Sequence, residues 1–173
     1  MIRLRTPRLE LLAATIPTSE AELSDRGAFS RLLEAAVPPE WPPETAADAL
    51  PLFLGWLREH PEWHGWLAWY AVRVDGGQRT LVGGCGFLGG PDATGMVELG
   101  YSVLPQFQRQ GIATEMVAAM IGWAFTHAAV SRVEAETSPE NEGSWRALKR
   151  AGFTAAGEGR EPGSVRLRRE RAA

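Results

Sequence analysis

The stretch Gln108-Arg109-Gln110-Gly111-Ile112-Ala113-Thr114 constrains this chain more than any other. An extended run, Val97-Glu98-Leu99-Gly100-Tyr101-Ser102-Val103-Leu104, leads into it, and an apolar-periodic run over about residues 115–127 follows. A strand, a glycine turn and a helix in that order make a seat for an anion. The N–H groups of the turn and of the first helical turn have no intrahelical partner and can converge on negative charge. Gly111 lets the backbone approach a ligand closely, Ala113 keeps the helix start free of bulk, and Arg109 adds a charged donor at the rim. A polyanion such as a pyrophosphate suits this seat. The segment is not a Walker loop, because no Gly-Lys-Ser/Thr closes it. Nor is it the dinucleotide fingerprint, because Gly-x-Gly-x-x-Gly is absent.

Bulk properties exclude several classes. A length of 173 residues predicts one domain spanning residues 1–173, with most of its apolar surface buried. Apolar and charged fractions of 45% and 23% are those of a soluble globule. The net charge of −3 argues against a nucleic-acid partner, which needs a basic face. Without a long apolar run or a hydrophobic N-terminal core, neither a membrane span nor export is expected. Cys85 is the single cysteine, so no internal disulfide can form and a reducing cytoplasm is the expected location. Lys149 is the sole lysine among many arginines, a bias that looks like a GC-rich bacterial genome.

Patterning predicts a strand over residues 2–12, a helix over 20–36 stopped by Pro38-Pro39, and a second helix over 45–60. Strands follow over 66–74 and 80–88, joined by the turn Asp75-Gly76-Gly77, and another over 98–104 ended by Pro105. Beyond the glycine turn and its helix come a strand over 132–137, a helix over 141–151 ended by Gly152, and short strands near 153–156 and 164–168. This order describes an α/β domain with a mixed, mostly antiparallel sheet of about six to seven strands flanked by about four helices.

With these elements in place, the chain resembles the GNAT superfamily of N-acetyltransferases. The Gln-x-x-Gly-x-Ala core at Gln108, Gly111 and Ala113 is similar to that family's acetyl-CoA pyrophosphate loop. Flanking matches, namely Thr6-Pro7-Arg8-Leu9-Glu10-Leu11, Leu81-Val82-Gly83-Gly84-Cys85-Gly86 and Gly100-Tyr101, look like the RimJ/RimL-like branch of ribosomal-protein N-terminal acetyltransferases. Asn141-x-x-Ser144 followed by Lys149-Arg150-Ala151-Gly152-Phe153 is similar to that branch's second cofactor motif. The resemblance spans residues 6–153 and implies the GNAT fold, in which a splayed central strand pair holds the cofactor.

It also implies roles. Arg109, Gln110, Gly111, Ile112, Ala113 and Thr114, with Gln108, would hold the pyrophosphate of acetyl-CoA. Unpaired backbone groups of Ser102, Val103 and Leu104 would bind the pantetheine arm, with the Val103 N–H stabilising the oxyanion. Glu98 is the candidate general base, since a carboxylate in an apolar segment tends to a raised pKa. The competing reading is an edge glutamate that faces solvent or pairs with an arginine. Many members place a tyrosine acid seven residues after the motif asparagine, but Leu148 stands there. Ser144 is then the expected proton donor to the departing thiolate and Asn141 a pantetheine ligand, with Tyr101 a second candidate donor. Asn141 and Ser144 also suit a helix cap and its first turn.

Cys85 reads as a small buried hydrophobe, so transfer is expected to be direct, in a ternary complex. His60, His64 and His127 lack the spacing of a zinc site, and no metal is expected. Five tryptophans fall within residues 41–69. Trp41 and Trp63, in loop context, are expected to line an acceptor pocket with Tyr101, and Trp56 and Trp69 to be core. The acids Glu40, Glu44, Asp48, Glu59 and Glu62 read either as a lure for a cationic amine or as a solvated face. The acceptor is a small-molecule amine or a protein N-terminus, and a homodimer is compatible with the reading. A CoA-binding module without catalysis is the alternative in a different class.

Overall fold

The computed structural model describes residues 1–172. Its frame is a single eight-stranded sheet in the order β1-β2-β3-β4-β5-β6-β8-β7. The strands are β1 (Arg3–Arg5), β2 (Leu9–Ala13), β3 (Ala68–Asp75), β4 (Gln78–Phe87), β5 (Met96–Val103), β6 (Arg132–Thr137), β7 (Thr154–Glu158) and β8 (Val165–Glu170). Every neighbouring pair is antiparallel except β5 and β6. Among the described residues there are six α-helices: α1 (Ile16–Ser24), α2 (Arg26–Leu33), α3 (Glu44–Ala47), α4 (Leu50–Glu59), α5 (Ile112–Phe125) and α6 (Glu142–Arg150).

Each face of the sheet carries its own core. Leu9, Leu11, Trp69, Phe87, Val97, Leu99 and Val133 pack under α5 and α6, with Met116, Val117, Met120 and Leu148. Leu12, Tyr70, Val72, Leu81 and Leu104 pack under α2, whose Phe29 and Leu33 are fully buried. Because successive strand residues face opposite ways, this fixes where each side chain of β5 points. Val97, Leu99, Tyr101 and Val103 face α5 and α6, whereas Glu98 and Ser102 face the α1–α2 side. No described helix is long and apolar enough to cross a membrane.

The structure corrects several expected boundaries. Residues 2–12 form two strands, because Thr6 turns back onto Leu9, donating its N–H to the Leu9 carbonyl at 2.9 Å and accepting the Leu9 N–H on its Oγ1 at 2.9 Å. The helix expected over residues 20–36 is two. Asp25 ends α1 and then caps α2, its Oδ1 accepting the Ala28 N–H at 2.9 Å. The N-cap of α1 is Thr15, whose side chain exchanges hydrogen bonds with Thr18. Residues 45–60 also break in two, since Pro51 fits only the first turn of a helix, where it sits in α4. α5 starts three residues earlier than its apolar pattern suggests, directly after Gly111.

Candidate active site

β5 and β6 pair only over Met96, Val97 and Glu98, opposite Arg132, Val133 and Glu134. Beyond that point β5 continues against β4, β6 continues against β8, and the two strands part. The Leu104 N–H goes to Val82, and the Glu98 carbonyl takes the Leu88 N–H. In this antiparallel pair the even-numbered residues of β5 therefore bond to β4. The backbone groups of Leu99, Tyr101 and Val103 point into the opening. This corrects the expectation for two residues. Leu104 has both backbone groups engaged, its carbonyl by Phe107, and Ser102 stands opposite Gly84 in the ladder. Val103 keeps an N–H directed at the opening, while its carbonyl accepts the Gln108 side-chain amide at 3.0 Å.

At the far end of the opening the chain turns through two left-handed residues, Arg109 at φ 59° and Gly111 at φ 79°. The first intrahelical bond of α5 runs from the Glu115 N–H to the Gly111 carbonyl at 3.1 Å. The N–H groups of Ile112, Ala113 and Thr114 therefore have no helical partner and converge on one spot, with the positive end of the helix dipole behind them. A cleft of about 750 Å³ joins this spot to the splayed strands. Its walls include Tyr101, Ser102, Val103, Gln108, Arg109, residues 111–114, Asn141, Ser144, Arg146 and Arg150. Gln110 lies off this lining. Its side chain accepts from Arg73 at 3.1 Å and donates to the Gln106 carbonyl at 3.1 Å, so it braces the loop from behind.

A hydrogen-bonded strap sets the loop. Glu115 accepts from Thr6 Oγ1 at 2.5 Å, the Arg8 N–H at 2.9 Å and the Arg8 guanidinium at 2.8 Å. A second arm of Arg8 reaches the Gln110 carbonyl at 2.8 Å. Burial raises the Glu115 pKa, but the bonds from Thr6 and Arg8 outweigh it and the net shift is downward. The stability this carboxylate contributes is present above its unfolded value of 4.5 and is lost as pH falls through its lower folded value. Glu115→Gln should cost about 1–3 kcal/mol near neutral pH, the usual result of removing a hydrogen-bonded charge. In urea melts the gap to wild type should close on acidification toward pH 3.

The first turn of α6 supplies the opposite wall. Asn141 Oδ1 caps the helix by accepting the Ser144 N–H at 3.0 Å, leaving its amide NH2 for a ligand. Ser144 Oγ lies 2.7 Å from the Tyr101 hydroxyl. The two candidate donors are thus one hydrogen-bonded pair, which neither residue's sequence position revealed. Burial raises the Tyr101 pKa, against a smaller lowering by Ser144, and keeps the phenol protonated. Leu148 is fully buried among the α5–α6 core, so no hydroxyl reaches the cleft from that position. Leu148→Tyr should overpack this core, lowering stability by about 1–3 kcal/mol in urea melts without raising turnover.

Glu98 sits on the other face, half-buried, and bonds to the Arg160 guanidinium. Burial raises its pKa most; Arg160 and Arg166 lower it, Glu136 and Glu134 raise it, and the balance is upward. Glu98 therefore pairs with an arginine and is still harder to ionise than a free glutamate. Cys85 is buried and its thiol is pushed up to about 12 by burial, which makes it a poor nucleophile.

The tryptophan expectations are corrected. Trp41 is only 6% exposed, wedged between Phe29 and Tyr70, with its indole N–H donated to Glu22 at 2.8 Å. It belongs to the α2-side core. Trp56 is half-buried rather than core, edge-on to Phe53 and Trp63. Trp63 is half-buried and stacked on His60 at 4.1 Å, with Gly89 and Gly90 beneath its ring, apart from the cleft. Glu40, Glu44, Asp48, Glu59 and Glu62 are all exposed.

A splayed parallel pair, an anion seat at the start of the following helix and a cleft joining them define a protein that holds a long, phosphorylated acyl carrier. Residues 2–154 match the acetyltransferase (GNAT) domain model. The chain is 33% identical over 153 residues to the uncharacterized N-acetyltransferase YjdG of Bacillus subtilis (strain 168), covering 88% of this chain and 90% of that one. Solved structures share the fold. RimL, the ribosomal L7/L12 alpha-N-protein acetyltransferase in complex with coenzyme A, aligns at TM-score 0.66 and 18% identity, covering 98% of each chain. The ribosomal-protein-S5-alanine acetyltransferase of Vibrio fischeri aligns at TM-score 0.63 and 20% identity, covering 98% and 97%. The chain belongs to the GNAT acetyltransferase family and is an N-acetyltransferase with acetyl-CoA as its acetyl donor.

Proposed function

We propose that this enzyme acetylates the α-amine of a peptide or protein N-terminus by direct attack within a ternary complex. The observation that carries this reading is the continuity of the cleft, from the N–H groups of residues 112–114 to the Tyr101–Ser144 pair. The pyrophosphate would rest on the former and the pantetheine arm would run along β5, meeting the amide NH2 of Asn141. The Val103 N–H is then the donor for the thioester oxygen as it gains negative charge.

Two protons must leave the attacking nitrogen, and one must reach the sulfur. Glu98 takes the first. Five residues of strand separate it from Val103, about 16 Å at the roughly 3.3 Å rise of a strand, so the proton travels through ordered water. Ser144 gives a proton to the thiolate and is resupplied by Tyr101, and Tyr101 regains the second proton shed by the attacking nitrogen. The choice of an α-amine follows from basicity. An N-terminal ammonium has a pKa near 7.7–8.0 against about 10.4 for lysine, so deprotonating it costs roughly 3.5 kcal/mol less. A carboxylate base of raised pKa suits the weaker base. The names of the RimL and S5-alanine neighbours point the same way.

The test is mass spectrometry of a peptide with both a free N-terminus and a lysine after incubation with enzyme and acetyl-CoA. One acetyl group on the α-nitrogen and none on Cys85 is expected. Acetyl-Cys85, or modification of lysine alone, would overturn the reading.

A further inference from the structure

Glycine inside a strand weakens it, so each one needs a reason. Gly83, Gly84 and Gly86 of β4 have one: a Cβ on them would crowd the carbonyl oxygen of Ser102, Trp69 or Leu67 respectively. Gly100 of β5 has none of this kind. Its backbone is not left-handed, and a Cβ built on it would meet nothing within 4 Å. It is also exposed, whereas Leu99 and Val103 on the same strand are buried.

The open space lies on the α1–α2 face of β5, the face of Glu98 and Ser102, and its surroundings give it a direction. Gly86 stands opposite Gly100 in the ladder, with the Leu67 carbonyl over it. Gly84 stands opposite Ser102, with the edge of the Trp41 ring over it, 3.4 Å from where a Cβ would be. Ser102 is half-buried and Leu104 fully buried. The face is therefore open at Gly100 and roofed from Ser102 onward. Ser102 is also one of the walls of the cofactor cleft. Since β5 and β6 are unpaired past Glu98, the gap between them connects the cleft to this face at Ser102.

We infer that the space over Gly100 seats the N-terminal end of the acceptor, which makes Gly100 a specificity-determining residue. The acceptor enters at the exposed end, lies flat on the glycine and stops under the roof at Ser102. There its nitrogen reaches the gap between the strands. Gly100 to Ser102 is about 7 Å at the rise of a strand, the span of two extended residues. Val103, whose N–H receives the thioester oxygen, comes next along the chain. Glu98 lies two residues before Gly100 on the same face, at the mouth of the seat. A side chain at position 100 would spare the fold and fill the seat, which is the reason for a glycine that packing does not explain. This inference rests on the reading of the acceptor as a peptide N-terminus.

Gly100→Ala and Gly100→Val test it, with saturating acetyl-CoA and a peptide that has a free N-terminus and one lysine. The KM for the peptide should rise about threefold in Gly100→Ala and about tenfold or more in Gly100→Val, because each added methyl group forces the ligand aside. Affinity for coenzyme A, read by calorimetry, should stay within about twofold of wild type. The melting temperature should equal or exceed that of wild type, since both substitutions favour a strand over glycine. An unchanged peptide KM in Gly100→Val overturns the inference. A fall in coenzyme A affinity or in melting temperature also overturns it, because Gly100 would then serve the cofactor or the fold. Failure of the N-terminal reading looks different. The wild type would acetylate the lysine alone, and the KM series on that lysine would still decide for or against the seat. Acetylation of neither amine by wild type contradicts both.

Discussion

A Gly111→Val enzyme is expected to bind coenzyme A at least about a hundredfold more weakly than wild type, a loss of roughly 2.7 kcal/mol or more. Two effects combine. Gly111 has φ 79°, a conformation that a β-branched residue adopts only under strain of about 1–3 kcal/mol. A Cβ at this position would also stand 3.2 Å from Arg8 Nη2, in the strap that ties the loop to Glu115. The loop can relieve the strain only by turning, and turning disperses the N–H groups of residues 112–114 that the pyrophosphate needs. The protein should still fold, since Gly111 is exposed and neither core includes it. Calorimetry with coenzyme A reads the loss directly, and unchanged affinity would remove the loop from the site.

Glu98→Gln should lower kcat by roughly a hundredfold to ten-thousandfold, the range general bases contribute. Glutamine keeps the shape and a hydrogen bond to Arg160 but cannot accept the proton of the acceptor ammonium. Affinity for acetyl-CoA should be untouched, because Glu98 lies on the opposite face of β5 from the cleft. The pH dependence has a definite sign. Burial raises the Glu98 pKa, so in wild type the acid limb of kcat/KM should fall at a higher pH than that of an exposed glutamate. This limb should vanish in the variant. Wild-type turnover in Glu98→Gln would leave ordered water as the base.

The donor half of the account was readable in the sequence because its physics is local. A left-handed glycine, an unsatisfied helix start and an alternating strand sit within twenty residues, and each constrains its neighbours through backbone geometry alone. The extent of β6 and the Gly152 end of α6 were legible for the same reason. What stayed hidden depends on contacts between distant segments. The Thr6–Arg8–Glu115 strap spans 109 residues at its widest, and the Tyr101–Ser144 pair spans 43. Trp41 lies in a proline-rich loop, yet the aromatic faces of Phe29 and Tyr70 bury it. The Arg160–Glu98 contact joins a connecting loop to a strand 62 positions earlier. The broken helices were a different failure. Asp25 and Pro51 carry start signals that a continuous apolar pattern outweighed.

Release of free thiol from acetyl-CoA, followed with and without N-terminal peptides, tests most directly whether one cleft carries an acetyl group from coenzyme A to an amine. The predicted result is thiol release that requires the peptide, saturates with both substrates, and falls at least tenfold in Ser144→Ala. Peptide-independent thiol release, or coenzyme A binding with no peptide-stimulated release, would contradict it.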